Sequence, residues 1–100
     1  MQRKNIPVVS GFPVYRLVHI INNERVIKGF FLFRRLAYFM IPENVKEQNY
    51  VSNNVNYYEI TLFNIPRKEE SFITKLNDIE YMERQCTKSR KVGKWYYSIL

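Results

Sequence analysis

Small side chains are scarce in this sequence: it has one alanine, Ala37, and three isolated glycines, Gly11, Gly29 and Gly93. Isolated glycines exclude a glycine-rich phosphate loop, in which several consecutive amides converge on one anion. There is one histidine, His19, and one cysteine, Cys86, so no zinc site can be assembled from imidazoles and thiolates. A single cysteine excludes an intramolecular disulfide and points to a reducing, cytoplasmic home. Basic neighbours along the chain would lower the thiol pKa of Cys86. A nucleophile also needs a positioned base, and nothing places His19 beside it. Glu69 and Glu70 read as helix-start charges rather than a catalytic pair. With no catalytic set, metal motif or cofactor motif, the chain is expected not to be an enzyme.

Long apolar runs are also missing. The longest, residues 30–41, spans twelve positions and contains Arg34 and Arg35, whereas a membrane-spanning helix needs about 20 apolar residues. The first ten residues carry two basic side chains with no apolar stretch behind them, unlike a signal peptide. No repeat, low-complexity tract or Gly/Ser/Pro-rich linker appears. One hundred residues fit one domain, 1–100, large enough to bury a core without disulfides or structural metal.

Large flat and branched side chains take the place of the small ones: eight Tyr, seven Phe and ten Ile. Such residues favour strands. Asn, Ile, Lys, Tyr, Phe and Met together supply 46 residues, against 16 for Gly, Ala, Arg and Pro. The first group has AT-rich codons. That bias fits a virus, phage or mobile element, and equally an AT-rich cellular genome.

Along the chain, Pro7 and Pro13 keep residues 1–13 extended or irregular. Residues 14–21 read as a strand, Asn22-Asn23 as a tight turn, and 25–33 as the return strand, with a bulge at Gly29. Residues 30–41 fit either strand or helix; the β-branched neighbours and Pro42 favour strand. The Asn-rich stretch 43–56 reads as a long surface loop, with or without a short helical turn. Residues 57–65 form a strand with Tyr58, Ile60 and Leu62 on one face and Tyr57, Glu59, Thr61 and Phe63 on the other. Pro66 ends it, and a helix over about 67–84 carries Phe72, Ile73, Leu76, Ile79 and Met82 as its apolar stripe. Glu80 and Arg84 are spaced to pair across one turn. A basic loop and a last strand, 95–100, follow. The expected fold is α+β: an antiparallel sheet of four to five strands with one main helix packed on a face. If the strands flanking that helix are parallel neighbours, their crossover is right-handed.

Two residues break the helix pattern. Glu83 falls in the middle of the apolar stripe, which means either that the helix ends near Met82 or that a half-buried carboxylate meets an arginine. Tyr81 falls on the solvent side, where a tyrosine suits a protein interface.

Formal net charge is +7, divided as +6 over 1–42, −4 over 43–83 and +5 over 84–100. Surfaces of opposite sign are expected. The most specific feature is Arg84, Lys88, Arg90, Lys91 and Lys94 followed by Trp95, Tyr96 and Tyr97. Cations attract phosphates through counterion release, and aromatic faces stack on unpaired bases. The alternative is a solvated segment leading into a core strand; alternation keeps Tyr96 off the face shared by Trp95 and Tyr97. Lys28, Arg34 and Arg35 form a second basic cluster. One of the adjacent arginines either snorkels from the core side or forms an anion contact.

The leading functional expectation is a basic, non-enzymatic inhibitor, virus- or mobile-element-encoded, that occupies a protein or nucleoprotein surface. The alternatives are a nucleic-acid-binding regulator using Arg84 to Tyr97, a toxin-like ribonuclease, and a homodimer or scaffold component joined through an open sheet edge.

Overall fold

A computed structural model describes residues 11–49, 55–66 and 70–100. Its elements run β1 (Gly11–Ile21), β2 (Glu24–Phe31), α1 (Arg34–Phe39), β3 (Val45–Gln48), β4 (Asn56–Pro66), a 3₁₀ turn (Glu70–Lys75), α2 (Ile79–Thr87) and β5 (Arg90–Ile99). The strands form one antiparallel sheet in the order β2-β1-β4-β5-β3. The α+β reading is therefore correct, with a small second helix added. Because β4 and β5 are antiparallel neighbours, no parallel crossover arises.

Local chemistry accounts for the hairpin. Asn22 and Asn23 both have positive φ, 51° and 72°, the left-handed pair that a two-residue turn requires and asparagine tolerates. The β1–β2 register jumps from Leu17–Gly29 to Val18–Ile27, leaving Lys28 as the extra residue of a bulge. A Cβ at Gly29 would lie 3.0 Å from the Phe31 ring, so a larger residue there would require that ring to shift. Pro13 is tolerated in β1 because it lies beyond the last β1–β2 pair, Tyr15–Phe31.

The sheet carries a core on each face. Val14, Phe30, Phe63 and Ile65 pack with Met82 and Cys86 of α2; we call this the front. Leu17, Tyr58, Ile60 and Tyr97 pack with Ala37 and Ile41 on the back, beneath α1. The faces of β4 follow the alternation expected of residues 57–65: Tyr58 and Ile60 pack on the back and Phe63 on the front.

Four expectations need correction. The helix expected over 67–84 begins only at Ile79. Asp78 stands in extended backbone, and its carboxylate accepts the Tyr81 amide at 3.0 Å, which starts a new helix behind the 3₁₀ turn. Residues 67–69, including Glu69, lie outside the described residues. This restart changes the phase of the stripe: Met82 is fully buried, whereas Ile73 and Ile79 are exposed. Tyr81 consequently turns inward, half-buried against the front core with the Lys75 ammonium 4.8 Å from its ring centre. Second, residues 30–41 are not a continuous strand; β2 ends at Phe31 and α1 follows. Third, the stretch expected as loop contains β3, which pairs with β5. Fourth, the basic segment is no loop: Arg90, Lys91 and Lys94 belong to β5.

Candidate functional site

α1 is short and faces outward. Only Ala37 within it is buried, and Ile41 just beyond it. The alanine methyl lets the helix lie close to the sheet, so large neighbours cannot follow it in. Phe33, Leu36, Phe39 and Met40 remain 65%, 47%, 67% and 60% exposed. Isolated exposed apolar residues are ordinary on protein surfaces, but four large ones within eight residues of one helix and its flanks form a patch of the kind that marks a contact surface.

Arg34 bounds this patch. Its guanidinium lies 4.6 Å from the Trp95 ring centre, donates to the Tyr97 hydroxyl at 2.9 Å, and reaches Glu47 at 3.5 Å. The two arginines are thus neighbours on a helix, not on a strand: Arg34 reaches over to β5, while Arg35 is exposed. Burial raises the Tyr97 hydroxyl pKa, opposed by the Arg34 charge. Arg34, Arg35, Tyr38, Phe39, Glu47 and Tyr97 enclose a shallow hollow of about 350 Å³ beside the apolar patch. Lys28 lies apart from it at the β2 bulge. Sequence reasoning singled out Arg34 and Arg35 but missed the helix that carries them and its exposed apolar residues. The signal was the lone alanine amid FRRLAYFM, which leaves that helix only one small side to bury.

The C-terminal cluster divides. Lys94 and Tyr96 sit on the front face opposite Thr61 and Glu59. Lys94 is 3.6 Å from the Glu59 carboxylate, which is itself only 4% exposed and also takes Arg25 at 3.3 Å and the Tyr57 hydroxyl at 3.4 Å. The Lys94 ammonium also lies over the Tyr96 ring, at 5.9 Å. Tyr97 is buried in the back core and Trp95 is partly buried against it, with the Arg34 guanidinium over its ring. Arg84, Lys88, Arg90 and Lys91 are exposed. None of the four forms an ion pair among the described residues, and the expected Glu80–Arg84 pair is not made.

The remaining singled-out residues make contacts within the fold. His19 stacks on Tyr58 with ring centres 4.0 Å apart and contacts Asn56 Oδ1 at 2.6 Å. Glu83 pairs with Arg16, the second of the two readings of that residue. Cys86 is 1% exposed, and burial pushes its thiol up to about 12, outweighing the Arg16 charge that opposes it. The basic sequence neighbours therefore do not activate it. Its reaction with an aromatic disulfide reagent at pH 8 is expected to be at least about 100-fold slower than in the urea-unfolded chain; equal rates would show an open thiol. No three His, Cys, Asp or Glu gather as a metal site among the described residues. No described helix is long and apolar enough to cross a membrane.

No protein family, curated protein or solved structure matches the chain.

Proposed function

We propose that this chain is a non-catalytic binding protein that docks α1 into an apolar, acid-rimmed groove on a protein partner and blocks that groove. The outward turn of α1, with Phe33, Leu36, Phe39 and Met40 in solvent, carries the reading. Aromatic and methionine side chains are the types enriched at interface cores, and insertion of such a helix into a groove is a recurrent recognition mode. The acidic rim follows from charge: residues 28–42 hold Lys28, Arg34 and Arg35 and no acid. The solitary buried thiol of Cys86 suits a reducing compartment, where the partner would be met. Occupation of the partner's groove is the whole activity in this reading, so inhibition requires no chemistry.

A photo-cross-linking residue at position 39, with position 92 as the remote control, tests this in cells expressing the protein. The expected result is a one-to-one adduct specific to position 39. Capture from position 39 should fall at least about tenfold when Phe33→Asp is added, given that buried aromatic anchors contribute about 2 kcal/mol or more. It should also weaken in Arg35→Glu. An adduct with a second copy of the chain, or equal capture from both positions, would overturn the proposal.

A further inference from the structure

We propose a second contact surface, at the junction of α2 and β5, that holds the phosphate backbone of a nucleic acid through Arg84, Lys88 and Lys91. It is independent of α1.

The β4–β5 register passes from Leu62–Gly93 to Phe63–Lys91, leaving Val92 as an extra residue. In a regular strand Lys91 and Lys94, three apart, would point to opposite faces. With the bulge, Lys91 stands opposite Phe63 and Lys94 opposite Thr61, both front-face positions. The bulge therefore delivers Lys91 to the face that carries α2, a known use of bulges. Arg90 stays opposite Asn64 on the back.

The α2 side is arranged to remain positive. Its buried face is Met82, Gln85 and Cys86, which leaves Arg84 and Lys88 outward, one turn apart. Glu83 would cancel one of them, but it is held by Arg16 Nη1, 3.0 Å from each carboxylate oxygen. A helix C-terminus is also negative through its free carbonyls. Here the Thr87 hydroxyl donates to Glu83 O at 2.8 Å and the Ser89 hydroxyl to Gln85 O at 2.6 Å. Among the described residues, Glu80 is the one acid lining these hollows without an ion pair. Two hollows share Thr87: one lies along Arg84 and Lys88, and the other, about 240 Å³, is lined by Arg16, Phe63, Cys86, Thr87, Ser89 and Lys91.

A protein partner is disfavoured because interface cores are apolar and poor in lysine, and Val92 is the only large exposed apolar residue of the segment 84–94. Charge alone must supply the affinity, as it does for phosphate backbones.

Titrating a labelled 20-nucleotide oligothymidylate at 50 and 200 mM salt tests the assignment. Three neutralised phosphates give a log–log salt slope near −2, so binding should weaken about 20-fold between the two conditions. Arg84→Ala/Lys88→Ala/Lys91→Ala should lose at least about tenfold at 50 mM, while Phe33→Asp/Phe39→Asp binds like the parent. Thermal unfolding of each variant reports on its fold. Three results would each overturn the proposal: no binding at 50 mM, undiminished binding by the triple variant, or equal affinity for polyglutamate.

Discussion

Replacing Glu83 with Ala is expected to destabilise the fold by about 2–3 kcal/mol, an effect out of proportion to a residue whose side chain is 39% exposed. The reason lies in its partner. Arg16 projects from the middle of β1 with its side chain only 10% exposed, its guanidinium 4.8 Å from the Phe63 ring centre. Its Nε is buried with no hydrogen-bond partner among the described residues, and its Nη1 meets both Glu83 oxygens at 3.0 Å. Removing the carboxylate strands a guanidinium under α2. Breaking a fully buried pair costs about 3–5 kcal/mol; water reaching the Glu83 side lowers that figure. At about 4–8 °C per kcal/mol for a domain of this size, the midpoint should fall by roughly 10–20 °C. The double variant Arg16→Met/Glu83→Leu, which removes both charges and keeps the bulk, is expected to return to within about 1 kcal/mol of the parent. Urea unfolding of the three proteins measures both changes. A loss below about 0.5 kcal/mol for Glu83→Ala would mean that α2 is held by Met82 and Cys86 alone.

This pair also shows how far the sequence could be read. The misplaced carboxylate was visible, because Glu83 stands in an apolar stripe whose period is fixed by helix geometry. Which arginine it meets was not, since Arg16 lies 67 residues away and one-dimensional periodicity carries no information on strand order. The Asn22-Asn23 turn and the faces of β4 were legible for the same local reason: left-handed backbone and two-residue alternation are properties of neighbours in sequence. The break at Asp78 was written in the sequence too, but a capping aspartate inside an apolar 3–4 pattern is outvoted when the pattern is followed alone. Missing it turned Tyr81 from a half-buried residue into an exposed one.

The two surfaces differ in the same respect. The cations of residues 84–94 were evident as composition. Their separation into Lys94, spent on Glu59, and Lys91, brought round by the Val92 bulge, depends on the pairing of β5 with β4. α1 was hidden because a dense apolar run fits strand and helix equally. What decides it is tertiary: β2 leaves β1 at the Tyr15–Phe31 pair although β1 runs on to Gly11, and the chain then turns to cover the back of the sheet with the one small residue it has, Ala37. The aromatic residues around Ala37 are outward because of that choice.

Alkaline pH is expected to unfold this protein well before its arginines titrate. The Cys86 thiol stands at about 12 in the folded chain against an ordinary 9.0, through burial. Tyr58 is raised by burial and by donating to Glu43 Oε1 at 2.6 Å beside its charge; Tyr57 and Tyr97 are raised as well, chiefly by burial. Each of these groups is neutral when protonated, and its folded pKa lies above the unfolded one. The unfolded chain therefore releases protons that the folded chain keeps, and stability is intact below pH 9 and falls as pH rises. Between pH 9 and 10 the thiol acts first, with a slope approaching 1.4 kcal/mol per pH unit; above 10 the tyrosines steepen it. Over the range to pH 12 the thiol alone accounts for about 4 kcal/mol. Cys86→Ala should be less stable than the parent at pH 7 by about 1–2 kcal/mol, from lost burial, yet nearly flat from pH 8 to 9, so that the two curves converge or cross above pH 9. Urea unfolding followed by circular dichroism at unit pH intervals measures both curves. Parallel declines in the two proteins would mean that Cys86 already meets water in the folded state and that the front core is looser around α2 than its 1% exposure indicates.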